Sequence, residues 1–343
     1  MARCISKSSK GNPRKIRLSH PNTWRRSRRI ESHHSRSPSK GPSQKAAPAL
    51  AAGNCFILKP SEKTPLAALA LGELITEAGF TPGVFQILSD DGSTGALLAS
   101  HMKIRKVSLT GSVTTGKLVQ EAAAKSNLKR VILELGGKSP AVIFDDANIG
   151  NAVKWTVQGI TINSGQICIA ASRVYVQEGT YDYFVEAYKA GFKLATDSVG
   201  DPELQTTGIG PIAGKLQFER VTGFIKRGDG ASLVVGGKRV GDKGYFIEPT
   251  IFKNLPEDSE LVQQEVFGPV VVINTFKTEE EAIALSNNTE YGLAAGVFTQ
   301  DINHALRVAS AIESGTVGIN NISHLVWNAH FGGFNQSGYG KDN

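Results

Sequence analysis

Between residues 54 and 134 short, nearly continuous apolar runs alternate with helical patterns. "NCFILKP" reads as a buried strand, and "TPLAALALGELITEAG" as the helix after it. "GVFQILS" and "IRKVSLTG" repeat the strand signal, "GALLASH" and "TTGKLVQEAAAKS" the helix signal, and "RVILEL" closes the series as a fourth strand. Strands apolar on both sides need cover on both faces, which helices crossing between parallel strands provide. The pattern therefore predicts a doubly wound α/β domain with its ligand crevice at the carboxyl ends of the strands. A second α/β unit follows. Helices are expected over about 148–162, at 181–195 ("YDYFVEAYKAGFKLA"), and at 214–227, 279–287 and 302–313. "SRVYVQ", "GYFIEPTIF", "VVVINTF" and "AGVFT" read as strands.

The length, 343 residues with 40% hydrophobic, allows two domains with sizeable cores. No apolar run reaches the ~18 residues of a membrane span. Cys4, Cys55 and Cys168 form neither a disulfide framework nor a metal-ligand spacing, so a reducing, cytoplasmic setting is the reading and no metal is expected. The net charge of +7 is unevenly spread: residues 1–45 hold 13 of the 38 Lys and Arg but one of the 31 Asp and Glu. That leaves the rest of the chain mildly acidic. Residues 1–45 are serine-rich, poor in apolar residues and without periodicity, and are expected to be a disordered basic arm. Its composition fits a solvated tail. It also fits a mitochondrial transit segment, or a nucleic-acid-binding or nuclear-import arm.

Chemistry concentrates where strands end. "KPSE" sets Lys59 three residues before Glu62, a cation and a carboxylate able to hold a ribose or phosphate, or an ordinary solvated loop. In "TGSVTTG", Gly111 and Ser112 stand at a helix N-terminus, where unpaired N–H groups suit pyrophosphate or simply receive a cap. Glu134 precedes Gly136 and Gly137 and reads either as a general base tuned by burial or as a salt-bridged carboxylate. Cys168 in "NSGQICIAASR" is either a small buried hydrophobe or a nucleophile with small neighbours that leave its backbone N–H groups open to an oxyanion.

Taken together and in order, "APALAAGN", "KPSEKTP", "TGSVTTG", "LELGGKSP", "NSGQICIAASR", "GYFIEPTIF", "QEVFGPV", "NNTEYGLAAGVFT" and "FGGFNQSGYG" closely resemble the aldehyde dehydrogenase superfamily over roughly residues 45–341. The resemblance implies an incomplete doubly wound nucleotide-binding domain over 46–135, a catalytic thiol domain over 136–325, and a return segment over 326–343. It implies that Cys168 is the catalytic thiol and Glu134 the general base. Lys59 and Glu62 match the residues on the adenosine ribose of NAD(P), and Gly111 and Ser112 those at the pyrophosphate. Glu265 matches the carboxylate on the nicotinamide ribose, with Phe267 beside it, and Lys45 a lysine near the catalytic chamber. The expected activity is oxidation of an aldehyde to a carboxylic acid through a thiohemiacetal and a thioester. NAD is the expected cofactor, because Glu62 would repel a 2′-phosphate; NADP is the alternative.

Some family features are not found. No W-N-F-P-type segment precedes "APALAAGN", no family-type oligomerisation tail follows "SGYG", and His330 stands where members usually carry proline. Members of the family are homo-oligomers. The expectation is therefore an aldehyde dehydrogenase impaired by truncation, the alternative an inactive remnant serving as a subunit or binding protein. A nucleic-acid module is the weaker third reading, and the compartment stays cytoplasmic with mitochondrial as the alternative.

Overall fold

The computed structural model describes residues 4–6, 17–19, 29–33, 40–228, 230–324 and 329–342. Two units are distinguished: one runs to Leu135 and takes in Gly338 onward, and the other starts at Gly136 and takes in Phe331–Ser337.

In the first unit β1 (Cys4–Ser6) and β2 (Arg17–Ser19) form an antiparallel ribbon. Then come β3 (Arg29–His33), α1 (Lys40–Ala51), β4 (Phe56–Pro60), α2 (Leu66–Glu77), β5 (Phe85–Ile87), α3 (Gly92–Ser100), β6 (Lys106–Thr110), α4 (Val113–Ser126) and β7 (Arg130–Glu134). The strands pair in parallel in the order β7-β6-β3-β4-β5. Alternation along β4 explains the layering. Phe56 and Leu58 pack with Ala46 and Ala49 of α1 and Ala68 of α2, while Ile57 packs on the opposite face with Leu98 of α3 and with Val107. Asp91 and Ser112 cap α3 and α4, accepting from Ser93 N and Thr115 N at 2.8 and 3.2 Å.

The expectation of a disordered arm over 1–45 is corrected at Arg29–His33. This strand lies inside the sheet, with Ile30 opposite both Ile57 and Val107. Its composition gave no strand signal. The slot between β4 and β6 exposes two rows of backbone N–H and C=O groups, and pairing them does not depend on side-chain type. Most of the remaining arm residues lie outside the described residues, and α1 already begins at Lys40.

The second unit contains β8 (Pro140–Ile143), α5 (Ile149–Thr161), β9 (Arg173–Gln177), α6 (Tyr181–Asp197), α7 (Lys215–Arg227), β10 (Leu233–Val235), β11 (Thr250–Lys253), α8 (Glu260–Gln263), β12 (Val270–Phe276), α9 (Glu279–Asn287), β13 (Tyr291–Gly292), β14 (Ala294–Phe298), α10 (Ile302–Ala311), β15 (Thr316–Ile319) and β16 (Phe334–Asn335). Its sheet has the order β10-β11-β12-β9-β8-β14-β15, parallel except for β10 on β11. Val174 and Val176 of β9 face a core built on Phe184, Tyr188 and Phe192 of α6; Tyr175 faces the other way, toward Phe144, Phe276 and Val308. β8 and β15 had no separate strand reading, and "GYFIEPTIF" supplies a strand only from Thr250. The return segment expected at 326–343 divides: 326–328 lie outside the described residues, Phe331–Ser337 join the second unit, and β17 (Gly338–Tyr339) pairs antiparallel with β7 of the first, Gly338 opposite Glu134. No helix among the described residues is long and apolar enough to cross a membrane.

Candidate active site

Strand ends in the first unit gather five of the residues singled out in the sequence. Lys59 and Glu62 meet at the end of β4: Lys59 Nζ donates to Pro60 O at 3.0 Å and stands 3.7 Å from the half-exposed Glu62 carboxylate. At the end of β6, Gly111 N donates to Glu134 O at 3.0 Å, which ties this turn to the end of β7. Ser112 then opens α4, whose first turn carries no acidic residue. No carboxylate of its own first turn offsets the positive end of that helix dipole, which suits a diphosphate. A dinucleotide's ribose and phosphates fit this donor set: a buried cation, a carboxylate able to accept from a ribose hydroxyl, and a helix N-terminus.

Glu134 ends β7 at 3% exposure, and among the described residues neither of its carboxyl oxygens has a hydrogen-bond partner. Burial pushes its pKa up to about 8, the Asp342 carboxylate pushes the same way, and Lys45 and Lys341 oppose. Lys45 does not neutralise it, because Lys45 Nζ is committed elsewhere. It donates to Thr110 Oγ1 at 3.0 Å and pairs with Asp342 at 3.1 Å, both ionic partners being buried. Asp342 was not read from the sequence; its only signal was its place two residues after "SGYG".

The second unit holds Cys168, Glu265 and Phe267. Asn163, Ser164 and Gly165 take left-handed φ values of 51°, 58° and 70° in succession, and the chain then turns through Gln166 to Cys168. Gly165 is required: a Cβ there would stand 2.1 Å from Gly268 O. Cys168 is half-exposed, whereas Cys55 is buried. Its carbonyl rests on Gly137, where a Cβ would come within 2.2 Å, and Gly137 N donates to Glu265 Oε1 at 3.0 Å. The glycine pair of "LELGGKSP" is therefore a flat seat between the thiol's backbone and Glu265. The Glu265 loop is held from α7, by Gln217 to the carbonyls of Val266 and Phe267 at 3.1 and 2.8 Å and by Arg220 to Glu265 O at 2.9 Å. Phe267 has a positive φ of 56°. Gly165, Ile167 and Ala170, from the chain on either side of Cys168, line one cleft with Glu265 and Phe267.

Burial pushes Glu265 up to about 7, opposed by the Gly137 N–H and then by Lys138 and Arg220. Lys138, buried in the same motif and unassigned by the sequence reading, is pushed down to about 7 by burial and by Arg173, against the pull of Glu265. The expectation that small residues after Cys168 keep backbone N–H groups open is corrected for three of them. Ala170, Ala171 and Ser172 N already donate to Ile167, Gly159 and Ala170 carbonyls at 3.1, 3.2 and 2.8 Å. Ala171 packs closely on α5: a Cβ on Gly159 would stand 3.1 Å from Ala171 Cβ.

Residues 37–343 match the model of the aldehyde dehydrogenase family. The chain belongs to this family. An aldehyde dehydrogenase of Emericella nidulans is 50% identical over 303 residues, which are 88% of this chain and 61% of that protein. Retinal dehydrogenase 2 of Mus musculus is 50% identical over 301 residues, 87% of this chain and 58% of that one. Among solved structures, the aldehyde dehydrogenase KauB from Pseudomonas aeruginosa superposes with a TM-score of 0.89 at 38% identity, over 92% of this chain and 65% of its own. Betaine aldehyde dehydrogenase from Staphylococcus aureus in complex with NAD+ gives 0.86 at 37% identity, over 92% and 63%. This aldehyde dehydrogenase family chain thus spans about 60% of the length of the curated relatives it matches.

Proposed function

We propose that this chain carries out NAD-linked oxidation of an aldehyde to a carboxylic acid through a covalent adduct on Cys168. The observation that carries this reading is the cleft that the Cys168 loop shares with Glu265 and Phe267, a thiol loop beside a carboxylate and an aromatic ring. In this reading the Cys168 thiolate attacks the carbonyl carbon, a C–S bond forms, and the carbonyl π pair moves to oxygen, where the Cys168 N–H donates to it. NAD, when bound, would supply the hydride acceptor that oxidation of the tetrahedral adduct to a thioester requires. Glu134 takes a proton from the water that attacks this thioester, the C–S bond breaks, and the acid leaves as the thiolate is restored. Lys59 and Glu62 would hold the adenosine ribose, Gly111 and Ser112 the pyrophosphate, and Glu265 with Phe267 the nicotinamide end. Glu62 favours NAD over NADP, since its carboxylate accepts from a 2′-hydroxyl and repels a 2′-phosphate.

The direct test supplies NAD and a panel of aliphatic, aromatic and polyene aldehydes and follows NADH and acid together. Cys168→Ala is expected to abolish both while leaving the fold and NAD binding unchanged. Activity retained in that variant overturns the thiol mechanism.

A further inference from the structure

The turn before Cys168 is an unfavourable piece of backbone. Asn163 and Ser164 are not glycines, yet both sit in the left-handed region, followed by Gly165. Such residues persist only where the surroundings over-determine them. Here the surroundings are few and identifiable. Ser164 Oγ donates to Gly210 O at 2.6 Å. Further ties come from Gln166, which is 6% exposed. Its backbone N donates to Asn163 O at 3.1 Å, and its side-chain Nε2 donates to the same oxygen at 2.9 Å. Its Oε1 accepts from Ala213 N at 2.7 Å. The amide cannot be flipped, because Asn163 O can only accept and Ala213 N can only donate.

We propose that Gln166 is a positioning residue for the thiol: its side-chain amide clamps the left-handed turn at 163–165 to the segment at 210–213 and so aims the Cys168 backbone N–H. Only Ile167 lies between the clamp and Cys168. On the far side the chain is tied separately, by Ser323 Oγ to Ile169 O at 2.6 Å and by Ala170 N to Ile167 O at 3.1 Å. Beneath it Gly137 supports the Cys168 carbonyl. Loss of the clamp therefore loosens the incoming end of the loop, which keeps the Ser164 bond to Gly210 O, and leaves the outgoing end held. The role rests on the proposed Cys168 chemistry, in which that N–H stabilises an oxyanion.

The clamp needs one donor and one acceptor on a side chain of this length, which gives its variants distinct signatures. Gln166→Met keeps the bulk and loses both bonds. Gln166→Glu keeps the length, but as a carboxylate it accepts from Ala213 N and cannot donate to Asn163 O. As the neutral acid it does both.

Three readouts on the full chain test this. Acylation of Cys168 by p-nitrophenyl acetate develops an oxyanion; alkylation by iodoacetamide, read by peptide mass spectrometry, develops none. Removing an oxyanion donor costs about 10²–10³ in rate, so misaiming one in Gln166→Met is expected to slow acylation at least ~10-fold. Alkylation should change less than about threefold, since it needs only an accessible thiolate. For Gln166→Glu, the acylation rate relative to the unsubstituted chain should rise as pH falls from 8 to 6. Equal changes in acylation and alkylation reduce Gln166 to a structural role and overturn the proposal, as does a flat ratio for Gln166→Glu. Hydrogen exchange at the Ala213 amide is the third readout, expected to quicken at least ~10-fold in Gln166→Met; unchanged exchange overturns the clamp itself. If Cys168→Ala is acylated like the unsubstituted chain, the thiol mechanism has failed instead, and exchange alone then decides whether the clamp exists.

Discussion

Glu134 and Glu265 are both carboxyls raised by burial, yet they are built differently. Among the described residues Glu134 has no hydrogen-bond partner at either oxygen, and of the two lysines that oppose its rise, Lys45 and Lys341, the first is paired with Asp342. Glu265 accepts from Gly137 N and faces Lys138 and Arg220 as opposing charges. The first reaches about 8 and the second about 7. An acid without partners is suited to gaining and losing a proton near neutral pH, whereas an acid fixed by an N–H is suited to holding a hydroxyl in one place. The contrast supports the proposal that the two carboxyls do different work.

The largest expected effect tests that division directly. Glu134→Gln should slow thioester hydrolysis by about 10²–10⁴, the usual worth of a positioned base, while NADH still forms in a first burst. Glu265→Gln should instead weaken cofactor binding and spare hydrolysis. A variant of Glu134 that loses burst and steady state in the same proportion would merge the two roles.

Next is the pair that keeps Lys45 occupied. Asp342→Asn breaks a buried ion pair and should destabilise the first unit by about 3–5 kcal/mol, less whatever is recovered when Glu134 ionises toward Lys45. The same substitution removes an anion that raises Glu134, so the acid limb of the activity profile, along which Glu134 must lose its proton to act as base, should move to lower pH. Chemical denaturation with a pH series reads both, and an unmoved pH profile would separate Asp342 from Glu134.

Smaller still are the effects of the two acids on stability. A folded pKa raised above the unfolded value means the native state retains a proton the unfolded chain releases. Stability therefore falls as pH rises from the ordinary glutamate range toward the folded value, and the loss is complete above it. For Glu134 that window runs from 4.5 to about 8, for Glu265 from 4.5 to about 7. Glu134→Gln should stabilise by up to ~3 kcal/mol at pH 7, increasingly so with pH across its window. Glu265→Gln should also stabilise, but over its narrower window: the gain levels off above about pH 7, where that of Glu134→Gln keeps rising toward pH 8. Melting curves between pH 5 and 8.5 compare them, and equal slopes for both variants would erase the distinction.

Most of this architecture was readable before any coordinates. The runs at "NCFILKP", "IRKVSLTG" and "RVILEL" became β4, β6 and β7, and α9 spans the expected 279–287. Lys59, Glu62, Gly111, Ser112 and Glu134 all stand at strand ends or the turns after them, because β–α alternation puts every such turn on one edge of a parallel sheet. Cys168 and Glu265 were singled out by motif, yet the Gly136–Gly137 seat that joins them was invisible as geometry. It depends on close approach between chain segments far apart in sequence.

Local pattern was enough wherever a residue's environment is set by its neighbours along the chain: apolar strands, capped helices, glycines at tight turns. It failed where the environment comes from elsewhere. Arg29–His33 is a strand because two sheet edges needed a partner, not because Arg, Glu, Ser and His favour one. Asp342 matters because β17 returns beside β7 and brings its carboxylate to Lys45. Glu134 is a raised acid because desolvation and charge act through space, and nothing in "RVILEL" records how far away the nearest uncommitted cation lies.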